Sequence, residues 1–69
     1  MPLIFAKVGE ENRIKKVGGN SEVKKFLEKL GFVPGGSVTV LNEIDGNVIV
    51  KVKDSRVAVS KEMAGKIMV

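Results

Sequence analysis

The segment Leu30-Gly31-Phe32-Val33-Pro34-Gly35-Gly36 marks the sharpest change of hydrophobic period in the chain. Before it, Val23, Phe26, Leu27 and Leu30 fall at i, i+3, i+4 and i+7, the apolar stripe of a helix. After it, Val38 and Val40 alternate with Ser37 and Thr39, the period of a strand. Gly31 stands where a helix ends in a left-handed residue, a conformation glycine adopts without a Cβ clash. Pro34 bars further helix and presets the first central position of a turn, and Gly35 supplies the positive φ of a type II turn. One short corner therefore ends a helix, turns the chain and starts a sheet.

The rest of the chain reads outward from that corner. Glu22 to Leu30 is predicted as a helix of under three turns, with Asn20 or Ser21 as its N-cap and Glu22 at the positive end of the dipole. The reciprocal capping box is absent, because Lys24 lies three residues past Ser21 and Val23 three past Asn20. So short a helix is marginal alone and must dock its stripe on a sheet, with Phe26 expected in the core. Upstream, Leu3–Ala6 is expected as a first strand and Arg13–Val17 as a second, bulged one, separated by a polar turn at Gly9. Downstream, Ser37–Ile44 and the Val48-Val50-Val52 run form a hairpin closed by Asp45-Gly46 or by Gly46-Asn47. Asp54-Ser55 is expected as the next turn, and Arg56–Val59 as a returning strand with Val57 and Val59 inward. Ser60 caps one helical turn that stops at Gly65, and Lys66–Val69 ends the chain as a strand with Ile67 and Val69 on one face. The fold class is mainly β: a small, partly open barrel of five to six strands, one short helix inserted after the second strand and sealing one end.

Composition narrows the function. The 69 residues make one domain, near the lower limit for a self-sufficient core, and such a chain buries only about 60% of its unfolded surface. There is no cysteine, hence no disulfide framework and no thiolate metal site. Histidine, tryptophan, tyrosine and glutamine are absent as well. The start Met1–Lys7 has neither the basic region nor the apolar run of a signal peptide, and no stretch approaches the roughly 20 apolar residues of a membrane span. A cytoplasmic protein without direct membrane insertion is expected. Twelve basic and eight acidic residues leave a formal charge of +4, scattered with alternating sign.

The run Phe26-Leu27-Glu28-Lys29-Leu30-Gly31-Phe32-Val33-Pro34-Gly35, then Val38-Thr39-Val40, then Ala64-Gly65-Lys66-Ile67-Met68-Val69 resembles the FeoA family. Its pattern is a leucine-rich helix, a Leu-Gly-apolar-Pro-Gly turn, valine-rich strands and an Ala-x-x-Ile-x-Val ending, met here over about residues 13 to 69. The resemblance implies an SH3-like barrel. It also implies an accessory role in ferrous iron uptake, exerted by binding the cytoplasmic part of a FeoB-type transporter. Related barrels occur in iron-dependent repressors, so an SH3-like regulatory domain of a transcription factor is an alternative. One departure is the central hairpin turn, where relatives often carry Gly-Asp-Pro and this chain has Asp45-Gly46-Asn47.

The residues present argue against catalysis. General-base work near neutral pH falls most often to histidine, and Ser21, Ser37, Ser55 and Ser60 read as caps and turn residues. Carboxylate pairs occur only at Glu10-Glu11 and at Glu43 with Asp45. The second pair could hold a divalent ion loosely, but no cofactor and no stable Fe(II) site are expected, and Met63 and Met68 read as core filler. Gly18-Gly19 precedes a helix without the Gly-x4-Gly-Lys-Ser/Thr spacing of a phosphate loop. Nucleic acid is the rival partner, through Lys15, Lys16, Lys24, Lys25, Lys51 and Lys53. Phe5, Phe26 and Phe32 are the only aromatics, with the last two assigned to the core, so base stacking has little to work with and nucleic acid is not expected. The expected partner surface is a shallow apolar cleft between the helix and the Phe32–Gly36 turn, carried by Leu27, Leu30, Gly31, Phe32, Pro34 and Gly35 and rimmed by Glu28 and Lys29. Leu27→Glu is expected to keep the fold and abolish transporter binding. An unpaired sheet edge could also join a second copy into a homodimer.

Overall fold

Alternating valines build the sheet that carries everything else. The computed structural model describes every residue from Met1 to Val69. Six strands and two helices follow in the order β1 (Glu11–Arg13), β2 (Lys16–Val17), α1 (Ser21–Leu30), β3 (Ser37–Ile44), β4 (Asn47–Val52), β5 (Ser55–Ser60), α2 (Lys61–Ala64) and β6 (Ile67–Met68). The antiparallel order β1-β3-β4-β5 forms one sheet, and β2 pairs with β6 in a second. Val38↔Val52, Val40↔Val50 and Val48↔Val59 are partners across the ladders, and all six side chains are buried. Ile14, Leu27, Phe32, Ala64 and Ile67 fill the space between the sheets, and no polar side chain is buried with them. The fold is thus mainly β with the helix after the second strand, a roughly barrel-like arrangement whose sheets do not close.

The corner forms as its residues dictate. Asn20 Oδ1 accepts the Val23 N–H at 2.9 Å to cap α1, and Gly31 ends it with φ 109° and ψ 2°. The Gly31 N–H donates to Glu28 O and the Phe32 N–H to Leu27 O, the paired bonds of a Schellman ending. The Gly36 N–H then closes the Pro34-Gly35 turn on Val33 O, with Gly35 at φ 88°. Asp45 and Gly46 turn the β3–β4 hairpin with positive φ at both positions, as a type I′ turn requires. Ser60 Oγ caps α2 through the Met63 N–H at 3.1 Å, and α2 stops at Gly65.

Four expectations need correcting. Leu3–Ala6 is not a strand: Leu3–Phe5 is a 3₁₀ turn closed by bonds from Phe5 N–H to Pro2 O and from Ala6 N–H to Leu3 O. Leu3 is buried in the core and Ala6 packs against it, while Ile4 and Phe5 face solvent. Arg13–Val17 is not one bulged strand but the passage between the two sheets. Arg13 ends β1, Lys16 begins β2, and Ile14 lies buried between them. The spacing of three between Ile14 and Val17 therefore reflects a change of sheet. Third, the β4–β5 turn is Lys53-Asp54, one residue earlier than Asp54-Ser55, because Val52 pairs with Ser55 and Lys53 takes a positive φ of 55°. Fourth, Phe26 is 48% exposed, whereas Leu27 is 0%. One residue is 100° around a helix, and Leu27 with the half-buried Val23 and Leu30 faces the sheet, leaving Phe26 on the flank.

A further irregularity sits in β3. The register advances by one residue between Val40 and Asn42, so Leu41 is a bulge. Glu43 thereby comes opposite Val48, yet its carboxylate reaches outward to Lys61 Nζ at 2.7 Å.

Candidate protein-binding cleft

The Schellman ending makes the chain double back, which lays Phe32–Pro34 beside the helix it has just left. The corner is fastened to the sheet from below: the Ile14 N–H donates to Gly36 O and the Gly35 N–H to Ile14 O, both at 2.8 Å. Ile14 is followed, after Lys15, by β2, whose pairing with β6 sets Lys16 opposite Met68 and Val17 opposite Ile67. These three pieces enclose a cleft of about 270 Å³ lined by Lys16, Val17, Lys24, Glu28, Phe32 and Pro34. Its exposed lining is mostly apolar. On α1, Lys24 and Glu28 are separated by one turn and share a wall, to one side of the stripe that Leu27 buries.

Of the six residues expected to carry a partner surface, Phe32 and Pro34 line this cleft. Leu27, Gly31 and Phe32 are buried, Leu30 is half-buried, and Pro34 and Gly35 are exposed. Leu27 and Leu30 therefore hold the helix wall in place from behind. Because Leu27 is wholly buried, a carboxylate there would have to enter the core without a partner, and Leu27→Glu is expected to unfold the chain, not to spare its fold. Glu28 lines the cleft as expected; Lys29 does not. Lys16, Val17 and Lys24 complete it, and the membership of Lys16 and Val17 depends on the long-range β2–β6 pairing. Only the i, i+4 relation of Lys24 and Glu28 was present locally as a signal.

A second hollow of about 290 Å³ lies over the outer face of the larger sheet, among polar residues and glycines that include Lys51, Lys53, Glu11 and Asp54. Lys51 is directly opposite Arg56 across β4 and β5. Elsewhere, Glu43 is engaged by Lys61 and not by a shared site with Asp45, Met63 is packed against the core, and no three His, Cys, Asp or Glu side chains converge. No helix is long and apolar enough to cross a membrane.

The FeoA domain model matches residues 1–69, the whole of the chain. The chain belongs to the FeoA family. A Methanocaldococcus jannaschii protein named as an Fe(2+) transport protein A is 37% identical over 68 residues, which are 99% of this chain and 83% of that protein. The crystal structure of an iron uptake regulatory protein, FeoA, superposes with a TM-score of 0.88 at 25% identity, covering 97% of this chain and 91% of the other. Stenotrophomonas maltophilia FeoA, described as an SH3 domain protein complexed with zinc, superposes with a TM-score of 0.85 at 22% identity over 99% of this chain and 87% of its own, a likeness of fold. A manganese-dependent transcriptional repressor shares the fold with a TM-score of 0.84 at 16% identity, covering 97% of this chain and 39% of that one. The chain is thus an accessory protein of ferrous iron transport with an SH3-like fold.

Proposed function

We propose that this FeoA protein acts from the cytoplasm by docking on the cytoplasmic part of a FeoB-type ferrous iron transporter, and that it does so without catalysis. The observation that carries the proposal is the cleft itself: a mostly apolar concavity, held open by the corner that defines the family pattern, on a chain with no imidazole or thiolate chemistry to offer. Apolar concavities with a polar rim are what protein interfaces use as anchor sites. The second hollow is lined by no hydrophobic residue, and polar and apolar surface share its lining about equally.

Pro34 is exposed at the lip, so a charge can be placed there without entering the core. Pro34→Glu should retain the far-UV circular dichroism of the parent, give up about 0.4–1 kcal/mol of turn rigidity, and weaken binding to the purified cytoplasmic part of the transporter at least tenfold by calorimetry. Undiminished binding by a folded Pro34→Glu chain would remove the cleft from the interface.

A further inference from the structure

We infer that the segment received by this cleft is an acidic one with an apolar side chain at its centre. The inference rests on the cleft being the docking surface and adds the chemistry of what docks there. Val17 and Pro34 supply the accessible apolar part, over the buried Phe32. Lys16 and Lys24 stand beside it, and neither has a carboxylate within ion-pairing distance, since the chain's one ion pair joins Lys61 to Glu43. Glu28 is the single carboxylate in the lining, and it makes no ion pair with Lys24 although one helical turn separates them. The order Lys before Glu is the weaker orientation for such a pair. Two free ammonium groups against one carboxylate leave the cleft positive, on a chain that is itself at +4.

The size of the cleft sets the rest. At about 270 Å³ it exceeds the ~150 Å³ that accommodates a benzene ring, so one leucine or phenylalanine side chain fits. A cationic segment would meet like charge. A neutral one would cover the apolar floor but partly desolvate two ammonium groups with nothing in return. Proline-rich peptides need an aromatic-lined groove, and the single aromatic here, Phe32, is buried to its edge. The same lack leaves single-stranded nucleic acid with charge to bind and no ring to stack on.

The test uses the intact chain and three fluorescein-labelled octapeptides in an anisotropy titration. The probe is Gly-Asp-Asp-Leu-Phe-Asp-Asp-Gly; one control replaces Leu-Phe with Ser-Ser, the other replaces each Asp with Lys. The probe should bind, both controls should bind at least tenfold more weakly, and affinity for the probe should fall severalfold between 50 and 300 mM NaCl. Lys16→Glu/Lys24→Glu should cost tenfold or more, Lys16→Arg/Lys24→Arg should restore most of it, and Lys51→Glu/Lys53→Glu, outside the cleft, should stay within twofold of the parent. Equal binding of the lysine peptide, or of the Lys16→Glu/Lys24→Glu chain, overturns the inference. So does equal loss in the Lys51→Glu/Lys53→Glu chain, or displacement of the probe by an equal concentration of a 12-mer of thymidine, since either marks unselective attraction of polyanions. The salt titration needs no variant and stands if one fails to fold. Measured in parallel, a transporter domain that ignores the parent chain brings down the docking proposal and leaves the peptides to judge this one. A transporter domain that binds the parent and the Lys16→Glu/Lys24→Glu chain alike brings down the acidic chemistry alone.

Discussion

Neighbouring residues of α1 should respond very differently to the same substitution. Leu27 is 0% exposed among the core residues, and Phe26 beside it is 48% exposed. Leu27→Ala removes three carbons from a packed site, about 2.4 kcal/mol in transfer terms at ~0.8 kcal/mol per methylene. The cavity left behind brings the expected loss to about 3 kcal/mol, within the 2–5 kcal/mol range of such changes. Against a total of roughly 3–10 kcal/mol for a chain of this length, that is a third or more of the stability. The melting temperature should fall by roughly 12–24 °C at 4–8 °C per kcal/mol. Phe26→Ala gives up only partial burial and regains about 0.5 kcal/mol of helix propensity, so its net cost should stay below about 1 kcal/mol. With no tryptophan or tyrosine to report, urea unfolding is best followed by far-UV circular dichroism, which the helix and sheet both feed. A Phe26→Ala chain as destabilised as the Leu27→Ala chain would refute the placement of the stripe, and with it the position of the helix wall of the cleft.

Three smaller effects test other parts of the fold in the same assay. Gly46 holds φ 81° with open space where a Cβ would stand, so Gly46→Ala should cost about 1–2 kcal/mol from backbone strain alone; no cost at all would mean the hairpin turn has another geometry. Asn20→Ala removes the side-chain acceptor of the Val23 N–H and should cost about 1 kcal/mol, with Asn20→Ser largely restoring it. Lys51→Glu converts the like-charge pairing with Arg56 into an opposite-charge one. It should stabilise by a few tenths of a kcal/mol in low salt and lose that gain in 1 M NaCl; a salt-independent change would point to packing, not charge.

What could be read from the residues was local, and what could not was set by partners far along the chain. The corner was legible because glycine, proline and glycine each satisfy a backbone demand that few other residues meet, at Gly31, Pro34 and Gly35. The β3–β4 hairpin was legible because its valines alternate and Asp45-Gly46 suits its turn. The passage at Ile14–Lys15 was not: its strands are three and two residues long, too short for a period to show, and each owes its existence to a partner over twenty residues away. Leu3–Phe5 reads as a strand by composition alone, and only the single buried position at Leu3 reveals that no sheet face is there to receive it. The Lys53-Asp54 turn has no glycine to announce it, because lysine bears the positive φ. Phe26 misled for a simpler reason: a helix three turns long offers more apolar positions than its buried face has room for, and Phe32, arriving from the corner, fills the space instead. The cleft followed the same division. Its position beside the corner was foreseeable from the corner's residues, whereas Lys16 and Val17 came to it through pairing that leaves no local trace.

The way the corner is fastened also bears on how docking would behave. Each wall of the cleft is tied at more than one point. The helix wall is fixed by the Schellman bonds and by Leu27, the turn by its own closing bond and by the two bonds to Ile14, and β2 by its ladder to β6. Ile14 joins two of these, since it exchanges two bonds with the turn and leads through Lys15 into β2. A cleft held this way does not have to be assembled when a partner arrives, so little ordering entropy is spent on the FeoA side. Affinity should then depend on what meets the surface, and the exposed side chains at the margin are the ones free to change without disturbing the core. Lys16 and Lys24 are of that kind: both are exposed, and neither is committed to an ion pair. If the cleft docks a partner as proposed, exchanging them should redirect its charge preference while Ile14, Leu27 and Phe32 keep its shape. On that reading, the residues that shape the cleft are separate from the ones that would choose its partner.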